Sequence, residues 1–237
     1  MKAISPQDRL ILALDVPTRE DALDVVKKLE GSVRFFKIGL QLFLSSHFYL
    51  VDWLGDRGYK VFLDLKLYDI PNTVVQALSV MSMHPVTFTT LHAEKSILKA
   101  AVEAVSDRIG ILAVTVLTSM EPEAFKVEHG KTVEEAVLHR ALMAKDAGCA
   151  GVIASGAETA LIRQHCGEEF LIINPGIRPR SYQAKDDQKR TVTAYEAIRN
   201  GADYIVVGRP ILKAPDIRTA AMEMLREIEE ACALGKA

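Results

Sequence analysis

Short, continuous apolar runs alternate with longer amphipathic stretches along the whole chain, and the pattern repeats eight times. The apolar runs are LILALD (10–15), VRFFKI (33–38), KVFLDLK (60–66), VTFTTLH (86–92), IGILAVTVL (109–117), GVIAS (151–155), FLIINP (170–175) and ADYIVVG (202–208). Helical spacing follows over 19–30, 42–57, from Pro71 onward, 95–106, 132–147, 157–165, 192–200 and 216–233. In residues 19–30, Ala22, Val25, Val26 and Leu29 share one face and Gly31 stops the helix. Pro71 stands at a helix start, where its missing N–H costs nothing. Runs that are apolar throughout fit strands covered on both faces, as in parallel sheets. Eight strand–helix pairs in 237 residues predict a single α/β domain over 1–237, a (β/α)8 TIM barrel. A doubly wound open sheet is the alternative, though it usually needs fewer strands.

Composition removes other classes. Lys plus Arg number 29 against 31 Asp plus Glu, a net charge of −2, so nothing global points to nucleic acid or an anionic membrane. A local cationic pocket remains open. No run of about 18 apolar residues exists to span a membrane. Cys149, Cys166 and Cys232 are widely spaced and odd in number, which argues against a disulfide framework. No His, Cys or carboxylate cluster has metal-ligand spacing. The opening MKAISPQDRLILALDV lacks the pattern of a secretory leader, so the expectation is a cytoplasmic protein.

Barrels of this kind carry their active sites at the C-terminal ends of the strands. Here those ends are charged: Asp15 after the first, Lys37 near the end of the second, Asp64 and Lys66 on the third, and Asp69 in the loop beyond. Phe62, Asp64 and Lys66 lie at i, i+2 and i+4 and share one face. An isolated buried charge costs several kcal/mol, so Lys37, Asp64, Lys66 and Asp69 suggest an alternating network. Such a network can be a purely structural set of salt bridges, but three strand ends converging on one mouth favour a site. A second signal is phosphate. The seventh and eighth loops of barrels commonly bind it, and here they hold Arg178 in PGIRP and Gly208-Arg209 in VVGRP. A glycine turn beside a surface arginine is the plainer reading. The polar stretch 175–191, PGIRPRSYQAKDDQKRT, has the length of a binding loop, with a phosphate-gripping lid at about 178–190. His92 ends the fourth strand without an assigned role. The other histidines and Trp53 read as surface or packing residues.

The run DLKLYDIPNT (64–73) resembles the D-x-K-x-x-D-I-P-N-T signature of the orotidine 5′-phosphate decarboxylase family. LALDV (12–16), FKIG (36–39), VTVLTS (114–119), NPGIRP (174–179) and IVVGRPI (205–211) resemble the family's other anchors, in its order. The sequence departs from the bacterial pattern at Tyr68, where His is usual, and in LHAEKS (91–96), which lacks paired glycines. The resemblance implies conversion of orotidine 5′-phosphate to UMP and CO2 with no metal or organic cofactor. It implies Lys66 as the cation beside the C6 carbanion and its proton donor, with Asp64 near the substrate carboxylate and Lys37 and Asp69 completing the tetrad. Asp15 resembles the ribose-binding aspartate, Thr118 the reader of the pyrimidine amide, and Arg178, Gln188, Gly208 and Arg209 the phosphate grip. A homodimer is implied, because Asp69 and Thr73 would serve the partner's site. Three other activities fit the residues less closely: a Mg2+-dependent sugar-phosphate decarboxylase, a Schiff-base aldolase built on Lys66, and a non-catalytic phosphate-binding barrel.

Overall fold

The structure is a computed structural model that describes residues 4–106, 108–179 and 191–234. Eight parallel strands close into a barrel in sequence order: β1 (Leu10–Ala13), β2 (Phe35–Gly39), β3 (Lys60–Leu67), β4 (Phe88–His92), β5 (Gly110–Val114), β6 (Gly151–Ile153), β7 (Leu171–Asn174) and β8 (Tyr204–Val207). Closure comes from β1 pairing with β8, Leu10 opposite Ile205 and Leu12 opposite Val207. That pairing excludes the open-sheet alternative.

Helices cover the outside: α1 (Arg19–Lys28), α2 (Leu40–Gly55), α3 (Pro71–Met81), α4 (Lys95–Val105), α5 (Pro122–His129), α6 (Val133–Asp146), α7 (Thr159–Cys166), α8 (Ala194–Arg199), α9 (Arg209–Leu212) and α10 (Ile217–Ala233). Their starts follow local chemistry. Thr18, Thr132, Thr193 and Asp216 accept backbone N–H groups as N-caps, and Thr132/Glu135 and Thr193/Glu196 complete capping boxes. Two helices were not anticipated. α5, PEAFKVEH, buries only Phe125, so it leaves almost no apolar periodicity. α9 is four residues long and begins directly after Gly208. The fifth strand is shorter than the run IGILAVTVL suggests: its ladder with β6 runs from Leu112 to Val114, and Thr118 lies in the loop beyond.

Strand parity builds two cores. Leu10, Leu12, Phe36, Ile38, Val61 and Leu63 face the helices, where most of the buried apolar surface lies. Ile11, Phe35, Phe62, Phe88, Leu112, Ile173 and Tyr204 face inward and plug the barrel. Phe88 is the hub of this plug, with ring centroids 5.7 Å from Phe35, 5.6 Å from Tyr204 and 6.5 Å from Phe62. The three cysteines are free and buried, and burial pushes the Cys149 thiol up to about 12. They are packing residues.

The plug is tight enough to make a single methyl group costly. A Cβ at Gly151 would lie 2.2 Å from the Leu171 carbonyl oxygen and 2.5 Å from its Cβ. The opposing atoms include backbone, so they cannot swing aside. We expect Gly151→Ala to destabilise the fold by about 1–3 kcal/mol. Urea unfolding checks this, through a lowered midpoint at unchanged slope.

Candidate active site

Above the aromatic plug the same inward-facing parity carries polar residues. Lys37 stands two residues beyond Phe35 on β2, Asp64 two beyond Phe62 on β3, and Thr90 two beyond Phe88 on β4. The elements that fill the bottom of the barrel with rings therefore deliver charge to its top.

These charges meet in a line. Lys37 Nζ lies 3.2 Å from Asp15 Oδ1 and 3.6 Å from Asp64 Oδ2. Lys66 Nζ donates to both oxygens of Asp64, each at 2.8 Å. The order is Asp15, Lys37, Asp64, Lys66, with alternating sign. Side-chain exposure rises outward from the middle: 12% for Asp64 and 11% for Lys37, against 38% for Lys66 and 54% for Asp15. Burial alone would raise the Asp64 carboxyl, but the ammonium groups of Lys37 and Lys66, with hydrogen bonds from Lys66 and Thr90, more than offset it. The group is held below its ordinary value. Asp64 is a buried carboxylate kept anionic by its neighbours.

Lys66 is one of three non-glycine residues with positive φ among the described residues, at +49°. The β3–β4 register shifts between Leu63 and Leu67. Regular parity predicts Phe62, Asp64 and Lys66 on one face. All three do line the cavity, but through a break in the ladder. Holding such a residue in the left-handed region costs on the order of 1–3 kcal/mol and needs support from its surroundings.

The charged line forms one wall of a cavity of about 270 Å³ at the C-terminal mouth. Thr118 and Ser119 from the loop after β5 line it, as do Gly176 and Arg178 after β7 and Gly208 and Arg209 after β8. Arg178 also donates to the Ile177 carbonyl at 2.7 Å. A Cβ at Gly208 would sit 3.0 Å from Asp15 Oδ2, so a glycine here lets the β8 end lie against the β1 end.

Of the residues expected from the sequence, Asp15, Lys37, Asp64, Lys66, Thr118, Arg178, Gly208 and Arg209 are brought together. Asp69 and Thr73 are not. Both are exposed and outside the cavity, and Asp69 accepts the Ile70 N–H at 2.7 Å. Gln188 and most of the expected lid lie outside the described residues. Two polar side chains at the site were not anticipated. Ser119 lines the cavity, and Thr90 bonds Asp64 at 2.8 Å. The signal for Thr90 was its place on the inward face of β4. His92 packs against Tyr68, ring centroids 5.5 Å apart. Partial burial, then the charges of Lys66 and Arg140, hold its imidazole below the ordinary value. Among the described residues, no group of three or more His, Cys, Asp or Glu is placed to hold a metal ion.

A family model described as orotidine 5′-phosphate decarboxylase / HUMPS family matches residues 8–224. The orotidine 5′-phosphate decarboxylase of Methylococcus capsulatus is 45% identical over 236 residues, covering 99% of this chain and 97% of that protein. That of Desulfosudis oleivorans is 41% identical, covering 98% and 97%. The crystal structure of orotidine 5′-phosphate decarboxylase from Lactobacillus acidophilus superposes with a TM-score of 0.81 at 34% identity, over 92% of this chain and 98% of that one. With a matching closed barrel and a match over nearly its full length, the chain belongs to the orotidine 5′-phosphate decarboxylase / HUMPS family.

Proposed function

We propose that the chain decarboxylates orotidine 5′-phosphate to UMP and CO2, the last step of UMP biosynthesis. The observation that carries this reading is the Asp15–Lys37–Asp64–Lys66 line facing Arg178 and Arg209 across one cavity. A nucleotide has the matching parts: a phosphate for the arginines, ribose hydroxyls for Asp15 and Lys37, and a pyrimidine amide for Thr118.

The chemical difficulty is the electron pair left on C6. The C6–carboxylate bond breaks, CO2 departs, and the pair stays on carbon with no ring position to receive it. The Lys66 ammonium beside C6 stabilises that charge more as it develops, so it acts on the transition state. It then transfers a proton from Nζ to C6 and is reprotonated from water. Asp64 holds Nζ through both carboxylate oxygens. It also stands where it would face the substrate carboxylate, whose loss as neutral CO2 relieves like-charge repulsion. The scheme routes no step through a metal or organic cofactor, so turnover in EDTA should equal turnover without it. A Mg2+-dependent sugar-phosphate decarboxylase would lose activity there.

Asp69 enters from a second subunit in this proposal. It lies outside its own chain's cavity, between Tyr68 and Ile70, which are 68% and 66% exposed. Both side chains are free to be covered by a second subunit, which supports this part of the proposal. The working form is then a cytoplasmic homodimer with shared sites, and it takes a small nucleotide rather than nucleic acid or a membrane. No helix among the described residues is long and apolar enough to cross a membrane.

Purified protein should bleach the absorbance of orotidine 5′-phosphate, and Lys66→Ala should cut turnover roughly 1,000-fold or more while retaining the folded spectrum. Near-normal turnover in that variant would reject Lys66 as the proton donor. Arg209→Ala should lower kcat/KM roughly 10- to 100-fold, the loss expected for a charge-assisted phosphate contact. A fall in kcat as well as a rise in KM would show that phosphate binding supports the chemistry; a change in KM alone would make it uniform binding.

The shared site has its own test. Lys66→Ala and Asp69→Ala homodimers should each be nearly inactive. Co-refolded at equal amounts, about half of the dimers are mixed and each mixed dimer holds one intact site, so about a quarter of wild-type activity should return. If Asp69 served its own chain, every site would keep one damaged residue, and mixing would restore nothing.

A further inference from the structure

Thr90 is fully buried on β4, and its hydroxyl makes two contacts. Oγ1 accepts the Lys66 backbone N–H at 2.9 Å and donates to Asp64 Oδ1 at 2.8 Å. A hydroxyl has one proton, and a carboxylate can only accept. With the Lys66 N–H occupying a lone pair, that proton goes to Asp64. The neighbouring Thr89 instead donates to the Leu63 carbonyl at 2.9 Å, on the other side of the strand. Thr90 alone faces the point where the β3–β4 register shifts and Lys66 takes its positive φ.

We propose that Thr90 is a positioning residue for the decarboxylation, its hydroxyl tying the strained Lys66 main chain to the Asp64 carboxylate so that the ammonium group is aimed before substrate binds. This rests on the function proposed above. One oxygen sets the backbone from which the lysine side chain springs and also the carboxylate that holds its far end. Valine has the shape of threonine and neither polar contact. It would take away the acceptor of the partly buried Lys66 N–H and leave one Asp64 oxygen without this donor. The lysine would remain in the cavity but lose its fixed aim, and misplacement by about 1 Å can cost 100-fold in rate.

The test compares Thr90→Val with Thr90→Ser. We expect Thr90→Val to lower kcat roughly 10- to 100-fold, the range for a lost hydrogen bond to a charged group. KM and the affinity for UMP should stay near wild type, because Thr90 is not among the cavity-lining residues. Thr90→Ser should restore most of the loss. Equal kcat in Thr90→Val and wild type, equal losses in both variants, or a loss of UMP affinity matching the loss of kcat would each overturn the proposal.

A second measurement needs no turnover. The charges facing Asp64 are Lys37 from β2 and Lys66 from β3, with Asp15 on the far side of Lys37 and His92 near Lys66. Thr90 favours the carboxylate form of Asp64, so removing its proton shifts titration upward. The Asp64 carboxyl-carbon NMR signal should titrate at higher pH in Thr90→Val than in wild type or Thr90→Ser. Unchanged titration in Thr90→Val would reject the link to Asp64. Failure of the wild type to decarboxylate orotidine 5′-phosphate would instead reject the proposed function, leaving the NMR comparison to decide the role of Thr90.

Discussion

A carboxylate buried between two ammonium groups is the interaction on which the mouth of this barrel depends. Asp64 cannot be ionised alone at its depth, since desolvating an isolated charge costs several kcal/mol. It is ionised because Lys37 and Lys66 flank it and Thr90 donates to it. The dependence is mutual. Lys37 is as buried as Asp64 and is compensated from both sides, by Asp15 and by Asp64. Removing one member therefore strands the next, and the four charges behave as a unit. Such a unit is costly to assemble for stability alone; apolar side chains of similar volume would fill the space as well.

The opposite end of the barrel makes the comparison concrete. Arg163 donates to the Gly201, Gly167 and Phe170 carbonyls and to Asp203 at 2.7 Å, while Asp203 also accepts the Ile172 N–H at 2.9 Å. Arg9 is buried and donates to the Asp203 carbonyl at 3.0 Å. These ions stitch α7, β7 and β8 together through backbone partners. At the mouth the side chains of Asp15, Lys37, Asp64 and Lys66 bond to one another in a row of four, whereas Arg163 directs most of its donors to main-chain carbonyls. Residue type does not separate a structural ion from a working one, but the surroundings do.

Parity is why so much of this was legible beforehand. Continuous apolar runs gave the eight strands, and the i, i+2, i+4 placement of Phe62, Asp64 and Lys66 gave the charged face. What stayed hidden depends on long-range geometry. IGILAVTVL reads as strand to Leu117 from its β-branched residues, yet pairing with β6 ends at Val114 because β6 itself stops at Ile153. Strand length here follows the neighbour's reach rather than propensity. The positive φ of Lys66 has no local signature, because a register shift belongs to two strands at once. Parity puts Thr90 on the inward face of β4, but its contacts to the Lys66 N–H and the Asp64 carboxylate depend on the shifted ladder between two strands.

The line of charge also needs open space beside it, and glycine provides this where the strands end. A Cβ at Gly39 would stand 3.3 Å from Lys37 Nζ and 3.7 Å from Asp15 Oδ1, and one at Gly208 would stand 3.0 Å from Asp15 Oδ2. Neither glycine has positive φ. Their missing side chains leave room for the Lys37 ammonium and the Asp15 carboxylate, and Gly208 itself lines the cavity. A methyl group at either place would crowd those atoms and cover polar groups that a ligand would otherwise meet directly. The barrel therefore prepares the site in two ways: by fixing donors and acceptors in place before any ligand arrives, and by withholding the carbon atoms that would cover them.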